Sequence, residues 1–391
     1  MTKSILIDGN GYGFGNIGDD AILCGILELL DNTNLDLSII IATKNAIKPQ
    51  FVNKNYSFIK SFYFSSEKKT IKKCDYYIAG GGTLIGDELG VDFPLKYNAK
   101  RLAYAKLSGK RTILFSIGAN KLITKYGKKI AKNMIHNTDL ISVRDLGSWK
   151  VCKELHPNKI PILSVDPAYL LKPMESLRTK EIKRFILSKK KTIGINVINE
   201  VWLKEKKYKI AIADAISAIS EKHGYYPVFF SNEVREGEFF DNEANKETAK
   251  FLRCDYSIMD PIYYTPEEMI DIISNFDIIF SMRMHALIFA SIVGIPFVTI
   301  SRTDKVDNFM KIYGFKPSGT IDSVYSESLV KDIEALIENS GVSASIKNVS
   351  QQQYLECKKM SGIIQKFLLD DKISNNSIID YLKQHYTVSF L

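Results

Sequence analysis

The sequence lacks several features that would classify it quickly. Its five cysteines, Cys24, Cys74, Cys152, Cys254 and Cys357, are scattered, odd in number and never grouped as CxxC or with histidine. That supports neither a disulfide framework nor a cysteine-based zinc site, and it fits a reducing compartment. Long hydrophobic runs are missing too: Ile278–Phe280 and Ala286–Ile295 are too short or too interrupted to span a bilayer. The opening Met1-Thr2-Lys3-Ser4-Ile5-Leu6-Ile7-Asp8 turns polar too soon for a secretory leader. The expectation is a cytoplasmic protein, with peripheral association at the inner face of a membrane left open. There is no GxxxxGK[ST] phosphate loop, no low-complexity segment and no internal repeat. No dense basic stripe interleaved with aromatics is present either, so nucleic acid is not an expected partner.

What is present is an ordinary globular composition. The chain has 391 residues, 45% of them hydrophobic and 25% charged, enough for two domains. Its 53 Lys and Arg exceed its 44 Asp and Glu, for a formal charge of +9. That surplus favours anionic partners without choosing among them. Runs such as Lys189-Lys190-Lys191 and Lys204-Glu205-Lys206-Lys207 read as solvated loops or helix faces.

Short apolar runs alternate with helical stretches. Strands are expected at Ser4–Ile7, Leu37–Ala42, Tyr76–Ala79, Thr112–Ile117 and Leu140–Val143, with a helix at about Asp19–Leu30. After a basic, weakly patterned stretch near 172–191 the rhythm restarts. Thr192–Val197, Pro227–Ser231, Asp277–Ser281 and Phe297–Ile300 read as strands, Ile210–His223 and Pro266–Asn275 as helices. This predicts an α/β fold of two Rossmann-like domains, 1–175 and 176–391, with parallel sheets facing a cleft. The last 40 residues read as a helical tail carrying Ile363, Ile364, Phe367 and Leu368 at helical spacing.

Ligands of open parallel sheets bind beyond the carboxyl ends of the strands. The segments just after each strand are therefore the candidates. Gly9 to Asp20 is glycine-rich, and its amides suit an anion or a sugar at a helix start. It also reads as a plain tight turn with Asp19 as the helix N-cap. The Asp19-Asp20 pair would repel a pyrophosphate, which argues against a dinucleotide fingerprint. Gly80-Gly81-Gly82-Thr83 permits close approach to a ligand, with Thr83 placed to cap the next helix or bond a phosphate; Ser116–Asn120 is weaker. Arg144, at a strand end, suits a bidentate grip on carboxylate or phosphate, or a salt bridge to a neighbouring acid. In Ser281-Met282-Arg283-Met284-His285-Ala286, a guanidinium and an imidazole leave the sheet together, and Lys305 follows the next strand. Arg144, Arg283, His285 and Lys305 would form a cationic cluster with one titratable acid or base, suited to a small multiply charged anion.

In this order and spacing the motifs resemble those of the polysaccharide pyruvyl transferase family. The resemblance rests on Gly15-Asn16-Ile17-Gly18-Asp19, Gly80-Gly81-Gly82, Ser142-Val143-Arg144-Asp145, Asp166-Pro167-Ala168, Ser281 to Ala286, and Lys305-Val306-Asp307. Members usually carry Leu where Met284 stands, a mild change. The stretch Asn196-Val197-Ile198-Asn199 departs from the family's glycine- and arginine-rich version. The resemblance implies a GT-B-like fold and phosphoenolpyruvate as co-substrate, without metal or other cofactor. It also implies an acceptor sugar carried on a nucleotide or a polyprenyl diphosphate. Arg144, Arg283, Met284, His285 and Lys305 would surround the donor, with Arg283, His285 and Lys305 catalytic and His285 the proton source. Asn16, Gly18, Asp19, Gly81, Gly82, Thr83 and Asp87 are the acceptor-side candidates, with Asp19 and Asp87 as guesses for the general base. A GT-B glycosyltransferase and a non-catalytic sugar-nucleotide-binding protein would share the fold and stay open as alternatives.

Overall fold

The computed structural model describes residues 2–44, 52, 54, 56–88, 90–200, 207–238, 240–370 and 377. The expected solvated run at Lys204–Lys206 lies outside them. The chain divides into two compact units. Unit 1 comprises Met1–Phe14, Asp19–Leu170 and Tyr354–Leu391; unit 2 comprises Gly15–Gly18 and Leu171–Gln353.

Among the described residues, unit 1 is built on eight strands: β1 (Lys3–Tyr12), β2 (Leu37–Thr43), β3 (Ser57–Lys60), β4 (Tyr76–Gly80), β5 (Thr83–Ile85), β6 (Arg111–Ala119), β7 (Leu140–Val143) and β8 (Ile162–Leu163). Their order is β3-β2-β1-β4-β6-β7-β8, with β5 paired to β6, and every pairing is parallel. Helices α1 (Ile17–Asp31), α2 (Phe64–Lys73), α3 (Tyr97–Leu107), α4 (Lys125–His136) and α5 (Leu146–Leu155) connect them. Parallel strands covered on both faces must be apolar throughout, which is why Ile5-Leu6-Ile7 and Ile113-Leu114-Phe115 are buried without alternation. On one face Leu6 and Leu114 pack with Leu84, Leu102, Met134 and Ile141 into one core.

Among the described residues, unit 2 has five strands: β9 (Thr192–Asn196), β10 (Tyr226–Phe229), β11 (Ser257–Ile258), β12 (Ile278–Ser281) and β13 (Phe297–Val298). They run parallel in the order β11-β10-β9-β12-β13. Around them lie α6 (Leu177–Leu187), α7 (Lys207–His223), α8 (Asp241–Ala249), α9 (Pro266–Ile273), α10 (Met284–Val293), α11 (Asp304–Ile312) and α12 (Ser326–Glu338), with α13 (Val342–Leu369) last. Ile193, Ile195, Ile212, Ile216, Phe229 and Phe280 form the centre of its core.

Two expectations change. The weakly patterned stretch near 172–191 contains helix α6, opened by a capping box in which Ser176 and Thr179 satisfy each other's amides. The helical tail, expected with the second domain, groups from Tyr354 onward with unit 1. Phe367 packs edge-on to Tyr76 and beneath the guanidinium of Arg111, and the Tyr76 hydroxyl donates to the Leu368 carbonyl at 2.9 Å.

Candidate active site

In unit 2 the strand order reverses between β9 and β12, the position where open α/β sheets bind ligands. Ser281, the last residue of β12, lies in register with Asn196, the last of β9. Its hydroxyl donates to Asn196 Oδ1 (3.0 Å) and accepts from the amide of Arg283 (3.0 Å). That hydrogen bond turns the chain out of the sheet, so Arg283 becomes the residue preceding α10 and Met284 its first.

The Arg283 guanidinium is gripped by two carboxylates. Nε and Nη2 reach Asp241 Oδ1 at 3.0 and 2.7 Å, and Nη2 also reaches Glu233 Oε2 at 2.8 Å. Asp241 is fully buried. Its other oxygen accepts from Asn196 Nδ2 and from the amides of Asn232 and Glu233, at 2.8 to 3.0 Å. Glu233 in turn pairs with Arg235, and the nearby Arg302 pairs with Glu200. Burial pulls Arg302 below the usual guanidinium range, with Glu200 opposing it. Of the expected cationic cluster, Arg283 is thus answered by two acids, Asp241 and Glu233, and its neighbour Arg302 by Glu200. What the arrangement provides is a guanidinium of fixed orientation.

His285 sits in the first turn of α10, partly buried, its ring 6.5 Å from that of Phe289. The loop Gly15–Gly18 comes up against this corner. Gly15 and Ile17 exchange backbone hydrogen bonds with Val234 and Asn232, and Asn16 bridges antiparallel to Glu233. A Cβ on Gly18 would stand 2.3 Å from His285 Nδ1, so only glycine lets the backbone pass the imidazole at this distance. Two motifs far apart in sequence thus meet at one histidine. Asn16 Oδ1 accepts from the Gly18 amide at 3.0 Å. The N-cap expected of Asp19 thereby falls to Asn16, and Asp19 stands inside the first turn. Lys305 lies in the first turn of α11, partly buried.

In unit 1, Arg144 is 7% exposed and its Nη1 lies 3.2 Å from Asp166 Oδ2. Its Nη2 donates to Thr83 Oγ1 at 3.1 Å. The salt-bridge alternative is thus realised in the geometry. Thr83 opens strand β5 and caps no helix. Gly81 and Gly82 adopt φ of +60° and +66°, and a Cβ on Gly81 would overlap Ile22 at 1.8 Å. The turn and the packing on α1 already require glycine there. Asp87 accepts from the amides of Ile123 and Thr124 and from the Thr124 hydroxyl, at 2.6 to 2.9 Å. Burial works to raise its carboxyl, but those hydrogen bonds win and hold it below the usual range. A carboxylate so committed is a poor base, which corrects the guess that made it one.

Sequence reasoning missed the acids. Glu233 stands just beyond β10, where the strand-end rule already pointed. Asp241 carried no signal beyond opening a helix. In unit 1 the rule also passed over Asp8 near the end of β1. This buried acid lies 3.0 Å from the Tyr97 hydroxyl and 3.4 Å from Arg101 Nε, and Arg101 pairs as well with the buried Glu67. Burial raises both carboxyls above their ordinary values. Arg101 opposes the shift in each, and Asp8 adds to it in Glu67. Among the described residues no group of three His, Cys, Asp or Glu is placed to hold a metal ion, and no helix is long and apolar enough to cross a membrane.

Solved structures similar to this chain share its fold at low identity. The UDP-GlcNAc 2-epimerase of Methanocaldococcus jannaschii has a TM-score of 0.61 at 15% identity, covering 94% of this chain and 100% of its own. The Neisseria meningitidis UDP-GlcNAc 2-epimerase bound to UDP-GlcNAc gives 0.59 at 14%, with 94% and 100% covered. The S. aureus MnaA–UDP co-structure gives 0.62 at 12%, with 94% and 97% covered. No curated protein matches the chain. The fold is α/β with two parallel Rossmann-like sheets, of the GT-B-like class. The sequence pattern described as polysaccharide pyruvyl transferase matches residues 16–304, taking in both the Asn16–Asp19 stretch and the Ser281–Ala286 corner. The chain belongs to the polysaccharide pyruvyl transferase family.

Proposed function

We propose that the protein transfers the pyruvyl group of phosphoenolpyruvate to a sugar of a cell-surface polysaccharide precursor, forming a ketal and releasing phosphate. The observation that carries this reading is the family match across residues 16–304, with His285 held at the strand-reversal corner by Gly18. The acceptor sugar is proposed to be carried on a diphosphate, as nucleotide or polyprenyl conjugate. The UDP and UDP-GlcNAc named with the similar structures support a nucleotide sugar by analogy of fold alone.

In this mechanism His285 protonates the methylene carbon of the donor, leaving an oxocarbenium-like centre at C2. An imidazole is a side chain suited to general-acid transfer of this kind. A sugar hydroxyl adds to C2 and gives up its proton, restoring the acid. The C2–O bond to phosphate then breaks, and a second hydroxyl closes the ketal as its proton passes to the departing phosphate. Arg283, oriented by Asp241 and Glu233, and Lys305 oppose the charge of carboxylate and departing phosphate.

The test measures phosphate release from phosphoenolpyruvate with and without nucleotide- or lipid-diphosphate sugars, with the product read by mass spectrometry. His285→Gln should lower turnover by about 10²–10⁴-fold with a much smaller change in donor affinity. Near wild-type turnover in a folded His285→Gln protein would show the residue to be structural. Transfer of sugar from a sugar nucleotide without phosphoenolpyruvate would make the protein a glycosyltransferase, and binding without turnover would make it a sugar-nucleotide-binding protein.

A further inference from the structure

Unit 1 carries a second constellation that the chemistry above does not use. Strands β1, β2 and β3 lie side by side and parallel, so the residues following them gather at one sheet edge. Phe14 follows β1, Lys44 follows β2, and Lys60, Phe62 and Tyr63 end or follow β3; Phe93 lies between β5 and α3, and Tyr97 opens α3. The Phe62 ring touches three others, with centroids 5.3 Å from Phe14, 5.3 Å from Phe93 and 4.8 Å from Tyr97.

This cluster is not ordinary core. Phe62 is 43% exposed and Phe93 38% exposed, side by side at the ligand-binding edge of a parallel sheet. Phe62 also adopts φ +67°, a left-handed backbone that a bulky side chain takes only under constraint. The constraint is visible. Its amide donates to the Tyr97 hydroxyl at 3.4 Å, that hydroxyl is anchored on Asp8, and the Tyr97 ring is stacked by Arg101 at 3.3 Å from its centroid. The buried Asp8–Glu67–Arg101 group thus braces a ring from below while two phenyl rings stay in water above it. Lys44 lies 5.4 Å from the centre of Phe14, and Lys60, paired in register with Thr43, lies 4.4 Å from that of Tyr63.

We propose that Phe62 and Phe93, braced by Tyr97, form a stacking platform for the sugar ring of the acceptor, with Lys44 and Lys60 neutralising the diphosphate that carries it. A pyranose offers an apolar face of weakly positive C–H groups, which suits the negative face of a phenyl ring. Two lysines match the charge of a diphosphate next to that sugar. Calling the ligand the acceptor rests on the pyruvyl-transfer reading; the sugar-diphosphate site itself does not.

The experiment is saturation-transfer NMR and calorimetry on the full chain with UDP-glucose, UDP-galactose and UDP-GlcNAc, and in a second arm with farnesyl-diphosphate-linked galactose. Saturation should reach the sugar ring protons. Phe62→Gly and Phe93→Ala should each weaken binding about tenfold or more, and Lys44→Gln with Lys60→Gln should weaken both arms alike. Binding in one arm alone identifies the carrier. Phe62→Gly keeps the test clean, because glycine relieves the left-handed strain and the variant should unfold near wild type. A normal sugar affinity in both aromatic variants, or no binding of any probe by the wild type, overturns the platform. If acceptor-dependent phosphate release proceeds with KM unchanged in both variants, the platform fails and pyruvyl transfer stands. If the sugars bind through Phe62 and Phe93 but phosphoenolpyruvate is never turned over, the platform stands and pyruvyl transfer fails.

Discussion

Arg144→Ala offers the sharpest perturbation, because two readings of this residue predict different things. Arg144 and Asp166 are each only 5% exposed in their side chains and 3.2 Å apart. Removing the guanidinium leaves Asp166 buried without that partner and Thr83 without the Nη2 donor. Breaking a buried pair from one side costs about 3–5 kcal/mol, most of it the penalty of the abandoned charge. At about 1.4 kcal/mol per decade, the unfolding equilibrium of unit 1 should shift by roughly two to more than three powers of ten. Urea unfolding with hydrogen exchange at the β6 and β7 amides reads that unit by itself. Arg144→Ala with Asp166→Ala should regain much of the loss, since no charge is then stranded. An Arg144→Ala protein within about 0.5 kcal/mol of wild type, the range of a bland surface change, would refute the argument. Donor titrations on the same samples separate the roles. A pure donor contact weakens phosphoenolpyruvate about ten- to a hundredfold at unchanged stability, whereas a structural brace lowers stability first.

Three further outcomes are expected. Gly18→Ala should displace the His285 ring, lowering turnover while Phe62-dependent sugar binding persists; a normal rate would mean that the imidazole position is not set by this contact. Asp8→Asn should alter the pH dependence of stability. Because burial raises the folded carboxyl above its ordinary 3.8, its stabilising contribution is whole below that value and is lost as pH rises through the folded value. Wild-type stability should therefore fall relative to Asp8→Asn between about pH 4 and the raised value, and parallel urea profiles would contradict this. Turnover should persist in excess EDTA; loss with recovery on adding a divalent metal would overturn metal independence.

The central strands were legible because burial on both faces leaves no room for polar residues, so Ile5-Leu6-Ile7 and Ile193 to Ile195 stand out in the sequence. Strands β3, β5, β8 and β11 were not, since runs of two to four residues show little period. Helix α6 was hidden by its lysines and arginines, although Ser176 and Thr179 spell a cap in the sequence. The tail's apolar stripe was visible, but nothing in it says which sheet it covers. Docking of Phe367 on Tyr76 and Arg111 is a property of the assembled fold.

The site divides along the same line. The corner from Ser281 to Ala286 could be found because strand ends are where parallel sheets place chemistry, and an arginine two residues before a histidine there is conspicuous. The acids around Arg283 could not, because an Asp or Glu in sequence looks like any surface residue until burial is known, and Asp241 is fully enclosed. That omission matters for electrostatics. Counting only the cations predicts a strongly positive patch, whereas counting Asp241, Glu233 and Glu200 leaves a guanidinium aimed by its own counter-ions. Catalysis by such a group depends on orientation more than on net charge. Asp241→Asn, which keeps the shape of the side chain while removing its charge, is therefore the substitution that should disorient Arg283 without vacating its place.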